Sequence, residues 1–431
     1  MTASGTAPRT LSRWAARLFG LGEDEAMPVL SGALLFFLLF TGYFMLRPVR
    51  ETMGIAGGVR NLQWLFTATF FATLAAMPLF GWVAARVPRR RILAWVYGFF
   101  VVNLLGFATA IHFQPDNAWL ARGFYVWLSV FNMIAISLAW SVLVDLFPSA
   151  QARRTFALMA AGASLGGLTG PLLGVALVGT VGHGGLLALA AGFLIAAIVA
   201  CEGLQRWRDR HPLPLEDGAG DRQRRLGGSP FAGASTVLRS PYLLGIAVFV
   251  LLLASVSTFL YFEQAKLVEA RFPDPVDQTR VFGAIDAIVQ TLAILSQLFV
   301  TGRIAQRLGI GVLLVAVPLV VATGFLCLAF APTFAVLAVV MIVRRAGEYA
   351  FVRPGREMLY TVVSPEAKYK GKNFIDTVVY RGADAVSGWV KTLVDMIAQH
   401  PAVAAVAGAA IALLWAATGG GLARAQRRHP D

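Results

Sequence analysis

The chain has 431 residues, of which 57% are hydrophobic and only 14% charged, with a mean hydropathy of +0.68. A water-soluble surface carries about 25% charged residues, so a soluble enzyme is excluded, as are a disordered chain and a collagen-like one. The net charge of +14 would suggest nucleic-acid binding in a soluble protein; in a membrane chain it reflects basic residues collecting in cytoplasmic loops, and no nucleic-acid partner is expected.

Taken in order, residues 9–19 carry Arg9, Arg13 and Arg17, and Glu23, Asp24 and Glu25 follow. This pattern is not that of a removable signal peptide, so 1–27 is expected to be a cytoplasmic N-terminal segment. A spanning helix needs about 20 apolar residues. Runs of that kind fall near 28–46, 62–85, 92–112, 119–146, 156–179 and 185–202. A polar stretch at 203–240 follows, rich in Arg, Pro and Gly. Six more runs fall near 241–266, 281–301, 309–330, 332–352, 373–398 and 401–418, with a short tail at 419–431. The expected fold is an all-α membrane protein with twelve transmembrane helices in two six-helix halves, 28–202 and 241–418, joined by a cytoplasmic loop. With an even number of spans, 26 Lys and Arg fall on the side of the termini and 7 on the other. The basic excess puts both termini in the cytoplasm of a bacterial inner membrane.

The two halves echo each other. Gly81, Arg86 and Pro88 follow the second run, and Gly302, Arg307 and Gly309 follow the eighth at the same spacing. Two related six-helix halves with such a loop in each resemble the major facilitator superfamily. That resemblance implies a solute site near the midplane, between the halves, and alternating access. Gly162, Gly166, Gly170 and Gly174 recur every fourth residue; on a helix they make a smooth stripe that lets a neighbour approach closely. Beside Pro171 they also partly resemble a Gly-Pro motif of the same superfamily.

Ionisable groups inside a bilayer are costly and face a cavity or a partner. Run one ends in Arg47, Arg50 and Glu51, and run seven in Glu263 and Lys266. Run ten holds Arg344, Arg345 and Glu348, with Arg344 and Glu348 spaced to pair on one face. Run eleven holds Asp376, Arg381, Asp384, Lys391 and Asp395, the last, third and fourth of which lie within an arc of about 40°. Asp286 stands alone in run eight. Cations and anions balance in number, but arginine dominates the cations, and its planar fork suits phosphate and carboxylate. An anionic or zwitterionic small-molecule solute is therefore expected as partner, beside the lipid bilayer. Arg47, Arg50, Arg344, Arg345, Arg381 and Lys391 are the expected substrate-binding residues. Glu51, Glu263, Glu348, Asp376, Asp384 and Asp395 are the expected gating or proton-coupling residues.

Three stretches resemble the bacterial and plastid ATP/ADP carrier family. They are LRPVRE at 46–51, EQAKLVEARFPDP at 263–275 and REMLYTVVSPEAKYKGKNFID at 356–376. The resemblance implies twelve spans and nucleotide exchange without hydrolysis. It adds Arg356, Glu357, Lys370 and Lys372 as family-matched residues. The chain departs from that family in two places. Residues 119–144 hold no Asp or Glu where the family carries an acidic residue, and Asp384 stands in the neighbourhood of the family's lysine in mid span eleven.

No P-loop, HExxH or GxSxG motif occurs, and Cys201 and Cys327 have no metal or disulfide spacing. No enzyme activity, cofactor or metal is expected. Alternatives that the sequence leaves open are a proton-coupled facilitator of another small organic solute and a non-transporting scaffold or sensor. The oligomeric state is not set by the sequence.

Overall fold

The computed structural model describes residues 23–147, 149–211, 233–398 and 402–428. The first part of the expected N-terminal segment, residues 212–232 of the central loop and the last three of the tail lie outside them. Among the described residues there is no strand. Helices α1 (Glu23–Ala56), α2 (Leu62–Arg86), α3 (Arg89–Phe113) and α4 (Ala118–Leu146) follow the first four apolar runs. Runs five and six form one element, α5 (Ser149–Arg210), broken at Gly182. That glycine has φ +67, a conformation that glycine adopts without steric cost.

The second half contains a short α6 (Ala234–Arg239), then α7 (Pro241–Arg271), α8 (Pro275–Ser296), α9 (Gly302–Leu308) and α10 (Ile310–Phe330). It continues with α11 (Phe334–Gly347), α12 (Arg353–Leu359), α13 (Pro365–Phe374), α14 (Tyr380–Ile397) and α15 (Ala402–Arg427). Local chemistry sets the helix starts. Ser240, Asp274, Thr333 and Ser364 each accept a backbone N–H of the helix they precede, and α7, α8 and α13 open on proline. These are the residue types that satisfy the orphan donors of a first turn.

Nine helices among the described residues are long and apolar enough to cross a membrane by length and composition. One of them, Phe156–Arg210, has 55 residues and covers two expected runs. The two runs outside this set, ten and eleven, are the most heavily charged. Three wide π turns, Gln297–Thr301, Glu348–Val352 and Ile375–Val379, interrupt runs eight, ten and eleven. Such turns occur often at functional sites.

Two compact units divide the chain: residues 1–46, 82–112 and 131–226, and residues 47–81, 113–130 and 227–431. The division runs through α1, α2 and α4, which give their two ends to different units. In the first unit the glycine stripe of α5 packs on α1. A Cβ on Gly166 would stand 2.5 Å from the carbonyl oxygen of Phe37, and one on Gly170 2.6 Å from that of Thr41. Tyr97 donates to the carbonyl of Ala135 at 2.7 Å. Arg89 pairs with Asp145 at 3.8 Å and Arg90 with Asp209 at 2.9 Å, tying the start of α3 to the ends of α4 and α5.

The second unit has an apolar core around Phe249, Phe325 and Trp415. A second apolar cluster joins the end of α1, the start of α2 and Tyr125 of α4 to α7 and α8 through Ile55, Leu62, Leu65, Phe262 and Phe282. Trp64 packs edge-on against Trp389 of α14, and Thr52 shares a hydrogen bond of 2.7 Å with Thr279. The repeated loop motif ends differently in its two copies. Pro88 precedes α3, whereas Gly309, at φ +77, closes α9.

Close packing at the glycine stripe makes a direct prediction. Gly166→Val lowers the unfolding temperature of the purified protein, at a cost of about 1–3 kcal/mol from overpacking against backbone. Gly98→Ala, where a Cβ meets nothing within 4 Å, changes stability by less than about 1 kcal/mol. Thermal unfolding in detergent compares the two.

Candidate functional site

The second unit gathers charged residues from the end of α1, the middle of α8, the end of α11 and the start of α14. At its centre Asp286 is 97% buried, at 3% relative exposure. Its Oδ1 lies 2.6 Å from Nη1 of Arg345, and its Oδ2 lies 3.8 Å from Nε of Arg47. Arg47 also donates from Nη1 to the hydroxyl of Tyr349 at 3.3 Å. One carboxylate thus faces two guanidinium groups from two other helices.

Beside it, Arg344 donates to Glu348 at 3.1 Å and to the hydroxyl of Ser257 at 2.6 Å. Glu348 also faces Arg353 at 3.5 Å, whose guanidinium sits over the ring of Tyr349. The expected pairing of Arg344 with Glu348 one turn later is present. Arg50 pairs with the adjacent Glu51 at 2.5 Å, donates to Ser129 at 3.3 Å and lies 5.0 Å from the ring centre of Tyr125. On α14, Arg381 faces Asp384 at 3.6 Å, and Asp384 accepts from Thr258 at 3.2 Å.

Arg47, Arg50, Arg344, Arg345, Arg353 and Arg381 are six guanidinium groups, and Glu51, Asp286, Glu348 and Asp384 are four carboxylates. The cluster carries two positive charges in excess. Nε of Arg344 and both Nε and Nη2 of Arg345 are buried without a hydrogen-bond partner. Buried donors left open in this way cost free energy and offer a fork that matches a phosphate or carboxylate.

A second cluster lies one helical stretch away on α14. Lys391 is fully buried, and its Nζ lies 2.6 Å from Glu263 and 2.5 Å from Asp395. Lys266 completes the ring at 2.6 Å from Asp395 and 3.7 Å from Glu263. Two cations and two anions balance, and every one has an opposite charge beside it. The polar stripe expected on run eleven therefore serves two places. Asp384 joins the arginine cluster, while Lys391 and Asp395 sit seven and eleven residues further on, about 10 and 16 Å along the helix.

A third group lies at the other end of run eleven. Arg356 pairs with Asp376 at 3.2 Å, and Lys372 pairs with Glu357 at 2.6 Å. Burial, with the Asp376 carboxylate adding to it, holds the phenol of Tyr360 between these pairs above its ordinary range. Lys370 is exposed on α13. The expected residues thus fall into three groups.

Sequence reasoning left three participants out of the site. Asp286 was visible as an isolated acid in an apolar run, but its partners come from α1 and α11. Tyr349 and Arg353 follow Glu348 in the π turn and just after it, where ordinary helical spacing does not apply.

Comparison with known proteins gives the family and the fold. The sequence profile of the Major Facilitator Superfamily matches residues 27–367. The chain belongs to the major facilitator superfamily. It is 24% identical to ADP,ATP carrier protein 1 of Chlamydia muridarum, over 95% of this chain and 90% of that one. It is 26% identical to ADP,ATP carrier protein 1 of Chlamydia trachomatis, over 69% of this chain and 63% of that one. Among solved structures, a bacterial homologue of the human lysosomal transporter Spinster shares the fold at a TM-score of 0.62 and 15% identity, covering 95% of this chain and 98% of that one. The nucleoside transporter NupG does so at 0.62 and 15%, covering 94% and 100%. A bacterial homologue of the iron transporter ferroportin does so at 0.63 and 14%, covering 93% and 98%. The all-α fold and the resemblance to ATP/ADP carriers expected from sequence are both borne out. The chain is a multi-pass membrane protein of a transporter superfamily.

The buried lysine gives the prediction of this section. Lys391→Met leaves Glu263 and Asp395 facing each other with only Lys266 between them. Breaking a buried pair by removing one partner costs about 3–5 kcal/mol. The variant is expected to unfold at a clearly lower temperature, and Lys391→Arg at an intermediate one, as read by thermal unfolding in detergent.

Proposed function

We propose that the chain is a secondary active transporter that moves an anionic solute across a bacterial inner membrane, with both termini cytoplasmic. Nucleotides, exchanged in the ATP/ADP manner, are the first candidates. The observation that carries this reading is the excess of two guanidinium groups over carboxylates in the arginine cluster. An anion with two negative charges would neutralise it, and the open N–H groups of Arg344 and Arg345 would receive it. The likeness to the chlamydial carriers supports a phosphate-bearing solute. The apolar cluster that joins the end of α1 and the start of α2 to α7 and α8 supports alternating access, as a closed gate beside the arginine cluster.

In this reading Arg47, Arg50, Arg344, Arg345 and Arg381 hold the anion. Glu348 and Asp384 set the charge that it must match. Lys391, Glu263 and Asp395 hold α7 against α14, and Arg356, Glu357, Lys372 and Asp376 fix the entry to run eleven. One feature favours a second reading. Asp384 stands beside Arg381 with a hydroxyl donor on it, and a carboxylate there could carry a coupled proton.

Reconstituted liposomes test both. Vesicles preloaded with ADP are expected to take up labelled ATP, and empty vesicles to take up little. Arg381→Gln is expected to lower that uptake by at least about tenfold while the protein stays folded. Uptake that needs no internal nucleotide and follows an imposed pH gradient would replace exchange with proton coupling.

A further inference from the structure

We propose that Asp286 is a built-in counter-anion that neutralises Arg345 and Arg47 while the site is empty and must give way when the solute binds. This rests on the anion reading above and deepens it. Three observations carry it. Asp286 is an acid within an apolar run and is almost fully buried, where a charge persists only beside partners. Its partners are two guanidinium groups from α1 and α11, at 3.8 and 2.6 Å. Its grip is incomplete, because Nε and Nη2 of Arg345 remain open and its own Oδ2 has no hydrogen bond.

A carboxylate that takes one nitrogen of a fork leaves the bidentate position to a better-placed anion. A phosphate that docks on Nε and Nη2 of Arg345 brings negative charge beside Asp286. Like charges at that range repel, so the phosphate and Asp286 compete for the same cations. Arrival of the solute therefore loosens the tie from α8 to α11 and α1. Departure of the solute lets Asp286 return and neutralise the empty site. A ligand can shift a conformational equilibrium only through such a difference between its two states. Asp286 is then a positioning and specificity residue, not one that contacts solute directly. Its strength sets how strongly charged a solute must be to displace it.

The test is titration of the purified full-length protein with inorganic pyrophosphate and with ATP, followed by thermal unfolding, in the wild type and in Asp286→Asn. Removing the internal competitor is expected to lower the half-saturating concentration of either probe by about tenfold or more. In liposomes the same variant is expected to lower KM and Vmax together, since solute is no longer pushed off the arginines; a purely structural defect would not tighten binding. A shift seen in Asp286→Asn alone also supports the proposal. Should the variant unfold on purification, pyrophosphate present throughout is expected to restore the folded yield by standing in for the carboxylate, and no rescue overturns the idea. Wild-type binding with unchanged or weaker binding in folded Asp286→Asn overturns the counter-anion and leaves the anion site standing. No shift by either probe in either protein removes both.

Discussion

Burying a guanidinium without a counter-charge costs several kcal/mol, and this chain buries two of them side by side, at Arg344 and Arg345. Much else in the second unit follows from that cost. Arg344 is compensated within its own helix by Glu348 one turn later. Arg345, about 100° round the helix, points to α8 and is compensated by Asp286. Asp286 in turn faces Arg47 at the end of α1. The need to compensate one arginine therefore links three helices from distant parts of the sequence. The linkage is incomplete, because the carboxylates are fewer than the guanidinium groups, and in the proposed reading that shortfall is what an anionic solute would make good.

The balanced ring around Lys391 behaves in the opposite way. Two cations and two carboxylates alternate at 2.5 to 3.7 Å, so a solute gains nothing there that the protein does not already supply. It fixes α7 to α14 beside the site. The glycine stripe of α5 does the comparable task in the first unit without charge, by letting two backbones touch. Packing of that kind is the main cohesive force available between helices in lipid.

Much of this was legible in the sequence. Helix positions follow from run lengths. The pairing of Arg344 with Glu348 follows from a spacing of four. The π turns mark where legibility ends. Beyond Glu348 and through Ile375–Val379 the helical phase changes, so a wheel drawn at ordinary spacing misplaces Tyr349, Arg353 and Asp376 relative to what precedes them. Tertiary partners were not legible at all. Nothing in the run around Asp286 names α1 and α11 as its neighbours, and nothing in the single stripe of run eleven says that Asp384 and Lys391 serve different clusters. The break at Gly182 was legible as the gap between runs five and six, although the two runs are continuous in helical character.

In the proposed reading charge, rather than shape or apolar contact, selects the solute. Equilibrium binding of labelled ATP and of labelled adenosine to the purified full-length protein tests it most directly, because the two differ in the phosphate chain alone. The account predicts saturable ATP binding that unlabelled pyrophosphate displaces, and no adenosine binding at the same concentrations. Adenosine binding as tight as that of ATP, or ATP binding that pyrophosphate leaves untouched, would contradict it.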